Sequence, residues 1–265
     1  MKKYSSPVWT ISLITVSFFF STCSKIRDQI NKDCFDVSKF CRITSIEADF
    51  TGNGVFEHFQ FSYNGAGDPQ KWSFTDGENG ADTYFRYDKK GRLTDVLTTN
   101  REQTSVIVWN RFSYPSPRVI IDSFYFSLGN LNDPHPAYDP NKPGSRTVMQ
   151  MDEQGRLSKL LHANPDGSDY LYAYDQKGNL ILPGVHYDDK VNIYRTSRVW
   201  QLLYRDYSRN NPTTAVSGQF VTPAAYNAYG LPTKFLGPFW AIFIFPFSTM
   251  NVSYSCDVPV GPHSY

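Results

Sequence analysis

Stretches of alternating apolar and polar residues, separated by turn-forming residues, run from about residue 41 almost to the end of the chain. Phe59–Tyr63 reads Phe-Gln-Phe-Ser-Tyr, and Tyr170–Tyr174 reads Tyr-Leu-Tyr-Ala-Tyr. Period-two alternation is typical of a strand with one face buried. The pattern predicts a mainly β protein, with a single domain over residues 41–258 and a short tail at residues 259–265.

A seven-residue phrase recurs within this domain. Tyr87–Leu93 reads Tyr-Asp-Lys-Lys-Gly-Arg-Leu, Tyr174–Leu180 is a second copy, and Met151–Leu157 is a third with Met in place of Tyr. Tyr63–Gly67 and Tyr226–Gly230 are degenerate copies. The Asp or Asn at the second place can accept backbone amides of a turn, and the Gly three places later can adopt a positive φ. Each copy therefore predicts a hairpin.

Neighbouring hairpins joined by short links predict an antiparallel meander. About ten strands are expected, which is many for one flat sheet, so the sheet is predicted to be strongly curled or to form a half-open barrel. Residues 194–207 interrupt the pattern, because Val199, Leu202 and Leu203 fall on one side of a helix there. Such a helix could plug an open end of a curled sheet, but packing alone is the preferred interpretation. The apolar stretch at residues 239–247 is predicted to be a core strand, with contact to lipid or to an apolar ligand as the alternative.

The first residues predict export. Lys2 and Lys3 precede an apolar stretch at about residues 8–20, which is too short for a comfortable transmembrane helix. Ser21-Thr22-Cys23 resembles a bacterial lipobox, which implies a signal peptide at residues 1–22, a lipid on Cys23 and a lipid-attached linker at residues 23–40. Plain secretion and an uncleaved N-terminal anchor are the alternatives.

Three cysteines remain if Cys23 carries a lipid, and an exported protein permits disulfides. Cys34 is close enough in sequence to Cys41 to close a small loop. Cys41 and Cys256 lie near opposite ends of the domain and would instead tie those ends together. The spacing of the cysteines does not choose between the two pairings.

The repeats resemble the YD-repeat family, also called RHS-like repeats, most specifically at Tyr87–Leu93 and Tyr174–Leu180. The C-terminal half is similar to uncharacterised Bacteroidota-type lipoproteins that use a few such hairpins in one domain. The matching pieces are Tyr187–Asn192, Ser208–Pro212, Tyr226–Thr233 and Tyr254–Cys256. The resemblance covers roughly residues 41–256. It implies a bacterial membrane-anchored location, at the outer membrane and facing the periplasm or the surface, and it implies no particular chemistry.

Two loops contain oxygen or nitrogen groups that are able to bind a metal ion. The first candidate set is Asp49, Thr51, Asn53 and Glu57, with the Val55 carbonyl, which alternate as calcium ligands would. A Gly-Asn-Gly hairpin turn is the preferred interpretation of this loop, because only two carboxylates are present. The second set is Asp133, His135 and Asp139, in a proline-rich loop at about residues 127–145, where a stiff surface excursion is the preferred interpretation.

Composition narrows the function. The net charge is +1 and the basic residues are scattered, which argues against nucleic-acid binding. The sequence contains no phosphate loop, dinucleotide fingerprint, HExxH or Gly-x-Ser-x-Gly, and no cofactor is expected. The expected function is a non-enzymatic binding or structural module for a glycan, protein or small apolar ligand. The alternatives are a carrier of a small apolar ligand inside a curled sheet and a hydrolase with carboxylates in a cleft.

Overall fold

The computed structural model describes residues 41–49, 52–75, 80–100, 102–127, 129–135, 143–161, 167–213, 222–236 and 248–256. Within these ranges, thirteen strands form one antiparallel sheet. The strands are β1 (Ile43–Asp49), β2 (Glu57–Tyr63), β3 (Pro69–Phe74), β4 (Thr83–Tyr87), β5 (Leu93–Thr99), β6 (Val106–Ser116), β7 (Val119–Phe126), β8 (Ser145–Met151), β9 (Leu157–Leu161), β10 (Tyr170–Leu171), β11 (Thr222–Tyr226), β12 (Pro232–Leu236) and β13 (Thr249–Tyr254). The predicted mainly β meander is therefore confirmed. The predicted number of about ten strands was too low, because hairpins such as β6–β7 turn without the repeated phrase.

The order of strands in the sheet follows their order along the chain, except that the last strand pairs with the first and that β10 does not pair with β11. Consecutive strands pair from β1 to β10 and from β11 to β13, and β1 also pairs with β13. The two strands at the ends of the sheet are β10 and β11, and residues 172–213 lie between them in the described chain. The two ends of the strand order are therefore joined, along the chain, by the least regular part of the domain.

All five copies of the phrase form the same turn. In each copy the backbone amide of the residue at the second place donates to the carbonyl of the residue at the sixth place. The amide of the glycine, at the fifth place, donates to the carbonyl of the residue at the second place. The five glycines have positive φ: Gly67 (91°), Gly91 (73°), Gly155 (75°), Gly178 (85°) and Gly230 (76°). The side-chain oxygen at the second place accepts the amide at the sixth, as Asp88 Oδ1 does from Arg92 at 3.0 Å. The predicted hairpin turns are thus confirmed, including the two degenerate copies.

Replacing Gly91 with alanine is expected to lower the free energy of unfolding by about 1 kcal/mol, because an L residue is strained at this φ although no atom lies near its added Cβ. Gly65 supplies the matched control, since its added Cβ also meets nothing and its φ is not in the left-handed region. Urea unfolding of both variants measures the difference. Equal stability of the two variants would show that the positive φ is unimportant.

Tyrosines link each turn to a later strand. Six phenol hydroxyls donate to the carbonyl of a residue that begins an earlier strand or bridge, and five of these carbonyls occupy the seventh place of the phrase. The pairs are Tyr63–Ile43, Tyr87–Pro69, Tyr114–Leu93, Tyr174–Leu157, Tyr187–Leu180 and Tyr254–Pro232. The phrase therefore connects a turn both to its own hairpin and to a strand further along the chain.

Arginine at the sixth place reinforces this link in two copies. Arg92 forms an ion pair with Asp88 at 2.6 Å, and its guanidinium lies 4.4 Å from the ring centre of Tyr114. Arg156 lies 4.1 Å from the ring centre of Tyr174 in the same way. The amide of Arg92, by donating to the Asp88 carboxylate, also holds the pKa of Asp88 below its usual range.

The predicted helix is present as a short 3-10 turn, Ile193–Thr196, followed by α1 (Arg198–Tyr204). Ser197 begins α1, and its hydroxyl accepts the Val199 amide at 3.2 Å. Trp200 is 1% exposed and meets the rings of Phe61 and Phe85 edge-on at 5.8 and 5.6 Å. We call the sheet face that carries these two phenylalanines the helix face. Among the described helices, none has the length and apolar character that crossing a membrane requires.

Candidate functional site

The first predicted calcium ligand, Asp49, is already occupied by backbone groups. Its Oδ1 accepts the Gly52 amide at 2.7 Å and its Oδ2 accepts the Gly54 amide at 2.9 Å. Backbone amides on both oxygens are typical of an acidic residue that stabilises a tight turn. The geometry around Asp49 is thus that of the hairpin between β1 and β2.

Two other residues of this set have contacts or positions of their own in the described structure. The side-chain oxygen of Asn53 accepts the Val55 amide at 3.0 Å, and Glu57 begins β2, where partial burial raises its pKa. Thr51 lies outside the described residues. In the part of the chain that the structure describes, no three His, Cys, Asp or Glu side chains are grouped closely enough to hold a metal ion. The complete four-ligand site remains a prediction.

The second candidate loop is described in part, and its metal site remains a prediction. Asp133 and His135 belong to the described residues, with Nδ1 of His135 3.2 Å from the Asp133 carbonyl, whereas Asp139 lies outside them. Leu131 of this loop packs on the buried cluster of Leu97, Val106 and Trp109. The loop therefore covers part of the sheet face opposite the helix face.

A disulfide joins Cys41 to Cys256, with 4.9 Å between their Cα atoms. The two residues precede β1 and follow β13, which pair with each other. Cys23, Cys34 and the apolar residues 239–247 lie outside the described part of the chain. The lipidation of Cys23 and the core position of residues 239–247 remain predictions.

Three pieces of the C-terminal half meet in one polar network. Asp188 accepts the amide and the side-chain nitrogen of Asn211 at 3.0 and 3.2 Å, and it also accepts the Tyr226 hydroxyl. The Asn211 side chain in turn donates to the Val191 carbonyl at 3.0 Å. Asn211 is 2% exposed, and satisfied donors and acceptors at this depth are typical of a structural network. It links the segment after β10 to β11.

The face opposite the helix face contains a row of charged residues. Arg86 on β4 lies directly across from Asp95 on β5, which lies across from Arg111 on β6. Neighbouring residues of a strand point to opposite faces, so Arg86 faces away from the helix that contacts Phe85. Cross-strand partners share a face, and the row therefore lies on one side of the sheet.

Trp109 fixes the centre of this row. Its indole nitrogen donates to Asp95 Oδ1 at 2.7 Å, and the Arg111 guanidinium lies 5.7 Å from its ring centre. The ring of Tyr125 packs against Trp109 at 5.2 Å. Because Trp109 is only 8% exposed, the carboxylate that it holds is a fixed feature of the surface.

An open hollow of about 490 Å³ lies over this row. We call it the arginine depression, and its lining includes Arg86, Asp95, Trp109, Arg111, Ser113 and Pro134. Pro134 comes from the loop that covers Leu97, so the loop forms one wall and the strands form the floor. Within the described residues, neither Arg86 nor Arg111 forms an ion pair, although each lies across from Asp95. The depression thus presents two guanidinium groups beside a single carboxylate within the described lining.

A buried ion pair lies on the same face of the neighbouring strands. Lys71 Nζ lies 2.5 Å from a carboxylate oxygen of Asp82, which is 2% exposed, and the Tyr84 hydroxyl donates to the same oxygen at 3.3 Å. Burial alone would lower the pKa of Lys71, but the hydrogen bonds to Asp82 and Tyr84 and the Asp82 charge raise it. This pair is satisfied internally and is not available to a ligand.

Sequence reasoning missed the arginine depression, because Arg86, Asp95 and Arg111 belong to no shared motif. It also missed the tyrosine contacts, although a signal for them exists. A tyrosine follows the seventh place of the phrase by 21 residues at Tyr114 and by 17 residues at Tyr174.

Compared with known protein families and with curated proteins, the chain matches none.

Alkaline pH is expected to destabilise the fold. Burial raises the pKa of Tyr114 and of Tyr187 to about 12, whereas an unfolded tyrosine titrates near pH 10. Above about pH 10 the unfolded chain loses protons that the folded chain retains, so stability falls until about pH 12. Thermal unfolding across this range should give a falling midpoint, with a shallower fall for Tyr114→Phe. A constant midpoint would contradict the raised pKa values.

Proposed function

We propose that the protein is an exported, lipid-anchored, non-enzymatic module that binds a glycan in the arginine depression. The observation that carries the proposal is the pair of guanidinium groups, Arg86 and Arg111, which lack ion-pair partners within the described residues. A volume of about 490 Å³ falls within the range of small-ligand pockets. The lining combines guanidinium, hydroxyl and carboxylate groups, which suit the hydroxyls of a sugar.

A hydrolase is less well supported by the same hollow. Glycoside hydrolysis needs two carboxyl groups about 5–10 Å apart, and among the described residues of the lining Asp95 is the single carboxylate. One Asp95 oxygen is already bound by the Trp109 indole at 2.7 Å. The geometry therefore favours binding without chemistry.

We also propose that the sheet curls into a half-open barrel around α1. Trp200 contacts Phe61 on β2, whereas Arg205, just after the helix, lies 3.4 Å from the Thr147 hydroxyl on β8. Six strand spacings separate β2 from β8, which amounts to about 29 Å in a flat sheet. A seven-residue helix is only about 10 Å long, so strong curling brings both strands within its reach.

The segment after β10 supports the same arrangement. Tyr174 donates to the Leu157 carbonyl on β9, the Asn179 side chain bonds that of Asn210, and Asp188 accepts the Tyr226 hydroxyl on β11. Hydrogen bonds thus connect both ends of the sheet through residues 174–211. In a flat sheet those ends would lie far apart, so the segment fills the gap of a nearly closed ring.

A carrier of an apolar ligand is less well supported by this interior. The space beside α1 is filled by the Trp200 ring and its two phenylalanine neighbours. A carrier would need an empty apolar cavity at that place. Filling by side chains is instead typical of a packed core.

The anchor is tested by metabolic labelling with a fatty-acid analogue. Wild type should incorporate the label and Cys23→Ala should not, while Cys34→Ala should incorporate it like wild type. Label in the Cys23→Ala protein, or none in wild type, would contradict the anchor.

Glycan binding is tested with a panel of immobilised neutral and acidic oligosaccharides. At least one of them should retain the wild-type protein, and the double variant Arg86→Gln/Arg111→Gln should lose that retention. Equal retention of the double variant, or no retention of wild type by any member of the panel, would contradict the proposed site.

A further inference from the structure

We infer that the arginine depression recognises the carboxylate groups of an acidic sugar chain, such as one built from uronic acids. This inference rests on the proposed glycan-binding function and specifies the class of glycan. Three features of the depression carry it: the spacing of the two guanidinium groups, the net charge of the row, and the remaining polar groups of the lining.

The two arginines are placed to hold one anionic group or two adjacent ones. Arg86 and Arg111 lie on the same face of β4 and β6, two strand spacings apart, which corresponds to about 10 Å between their Cα atoms. Guanidinium groups bind carboxylates through two parallel hydrogen bonds. Because Arg111 is exposed and Arg86 is half-buried, both groups remain accessible from the hollow.

The net charge of the row favours carboxylate over phosphate. Arg86 and Arg111 contribute two positive charges and Asp95 contributes one negative charge, so the row has a net charge of +1. A monovalent carboxylate matches this balance, whereas a dianionic phosphate would exceed it and would be repelled more strongly by Asp95.

The remaining groups suit the rest of a sugar unit. One Asp95 oxygen is bound by Trp109, and the other has no partner among the described residues. This oxygen can accept a sugar hydroxyl at a fixed position. Thr94 and Ser113 add hydroxyl groups to the lining. The depression therefore offers donors for a carboxylate beside an acceptor for hydroxyls, which is the pattern of an acidic sugar.

The test compares oligogalacturonate with its methyl ester, which differs only in the masked carboxylates. Titration calorimetry on the full-length protein should give at least about tenfold tighter binding of the free acid, since charged hydrogen bonds are lost with the ester. Arg111→Gln, an exposed substitution, should weaken binding of the acid about tenfold, and Arg86→Gln should do the same. Lys234→Gln is the matched control, because exposed Lys234 on β12 carries the same charge five strands away from β4.

The other outcomes separate this inference from the proposed function. If the acid and the ester bound equally well, and Arg111→Gln lost the binding of both, the carboxylate inference would be overturned and glycan binding would remain in place. Tighter binding of inorganic phosphate, or of vesicles containing phosphatidylglycerol, would assign the arginines to a phosphate instead and overturn the inference. Binding of neither oligosaccharide would also overturn it, as would equal losses in Arg111→Gln and Lys234→Gln.

Discussion

Replacing Trp200 with alanine is expected to lower the free energy of unfolding by about 3–5 kcal/mol, the usual cost of truncating a buried tryptophan. The side chain is 1% exposed, and the rings of Phe61 and Phe85 meet it edge-on. Its loss would leave a cavity between α1 and two strands at once, because both phenylalanines depend on the same indole. Urea unfolding followed by far-ultraviolet circular dichroism measures the change.

Two further variants make this result specific. Trp200→Phe should cost less than Trp200→Ala, since a smaller ring still contacts Phe61 and Phe85. Gln201→Ala, one residue along the same helix, should change the free energy of unfolding by less than about 0.5 kcal/mol. An equal effect of Trp200→Ala and Gln201→Ala would contradict the central position of the indole.

Removal of the disulfide is expected to have the second large effect, with Cys41→Ala lowering the free energy of unfolding by about 2–5 kcal/mol. The bond closes a loop of 215 residues, so its loss gives the unfolded chain much conformational freedom. It also frees the ends of β1 and β13, which pair with each other where the two ends of the domain meet. Thermal unfolding with and without a reducing agent measures the contribution.

The control for this prediction uses the partner cysteine. Cys256→Ala and the double variant Cys41→Ala/Cys256→Ala should match the single variant, because each removes the same bond. A reducing agent should lower the midpoint of wild type towards theirs and leave the variants unchanged. A wild-type midpoint that is insensitive to reduction would contradict a stabilising bond between Cys41 and Cys256.

The turns could be predicted from the sequence because all their determinants lie within seven residues. In Tyr87–Leu93, the aspartate that accepts the amides and the glycine with φ of 73° are three residues apart. The position of α1 was predictable for a similar reason, since its apolar side and the Ser197 cap are local. Such features depend little on what the rest of the chain does.

The arginine depression could not be predicted in this way, because it depends on strand register. Arg86, Asp95 and Arg111 come together only through two pairings, each of which contains an irregularity. A shift of one residue in either pairing would send one side chain to the helix face. The phrase sets where a hairpin turns, but it does not specify these registers.

The polar network in the C-terminal half could be predicted from the sequence only in part. The pieces around Asp188, Asn211 and Tyr226 stand out in the sequence, but nothing local indicates that their side chains bond one another. Their contact requires the segment after β10 to meet β11, although these strands are the two ends of the sheet. Only the three-dimensional path of the chain brings them together.

The decisive quantity is the distance between the terminal strands of the sheet in solution. Spin labels at Leu171→Cys on β10 and Tyr229→Cys in the turn after β11, with Cys23 and Cys34 replaced by alanine, report it by pulsed electron resonance. A ring bridged by residues 172–213 predicts a single distance centred below about 50 Å, whereas twelve spacings of an uncurled sheet would give about 58 Å. A distribution centred above about 50 Å would mean that the strands do not wrap around the helix, and the proposed barrel would be wrong.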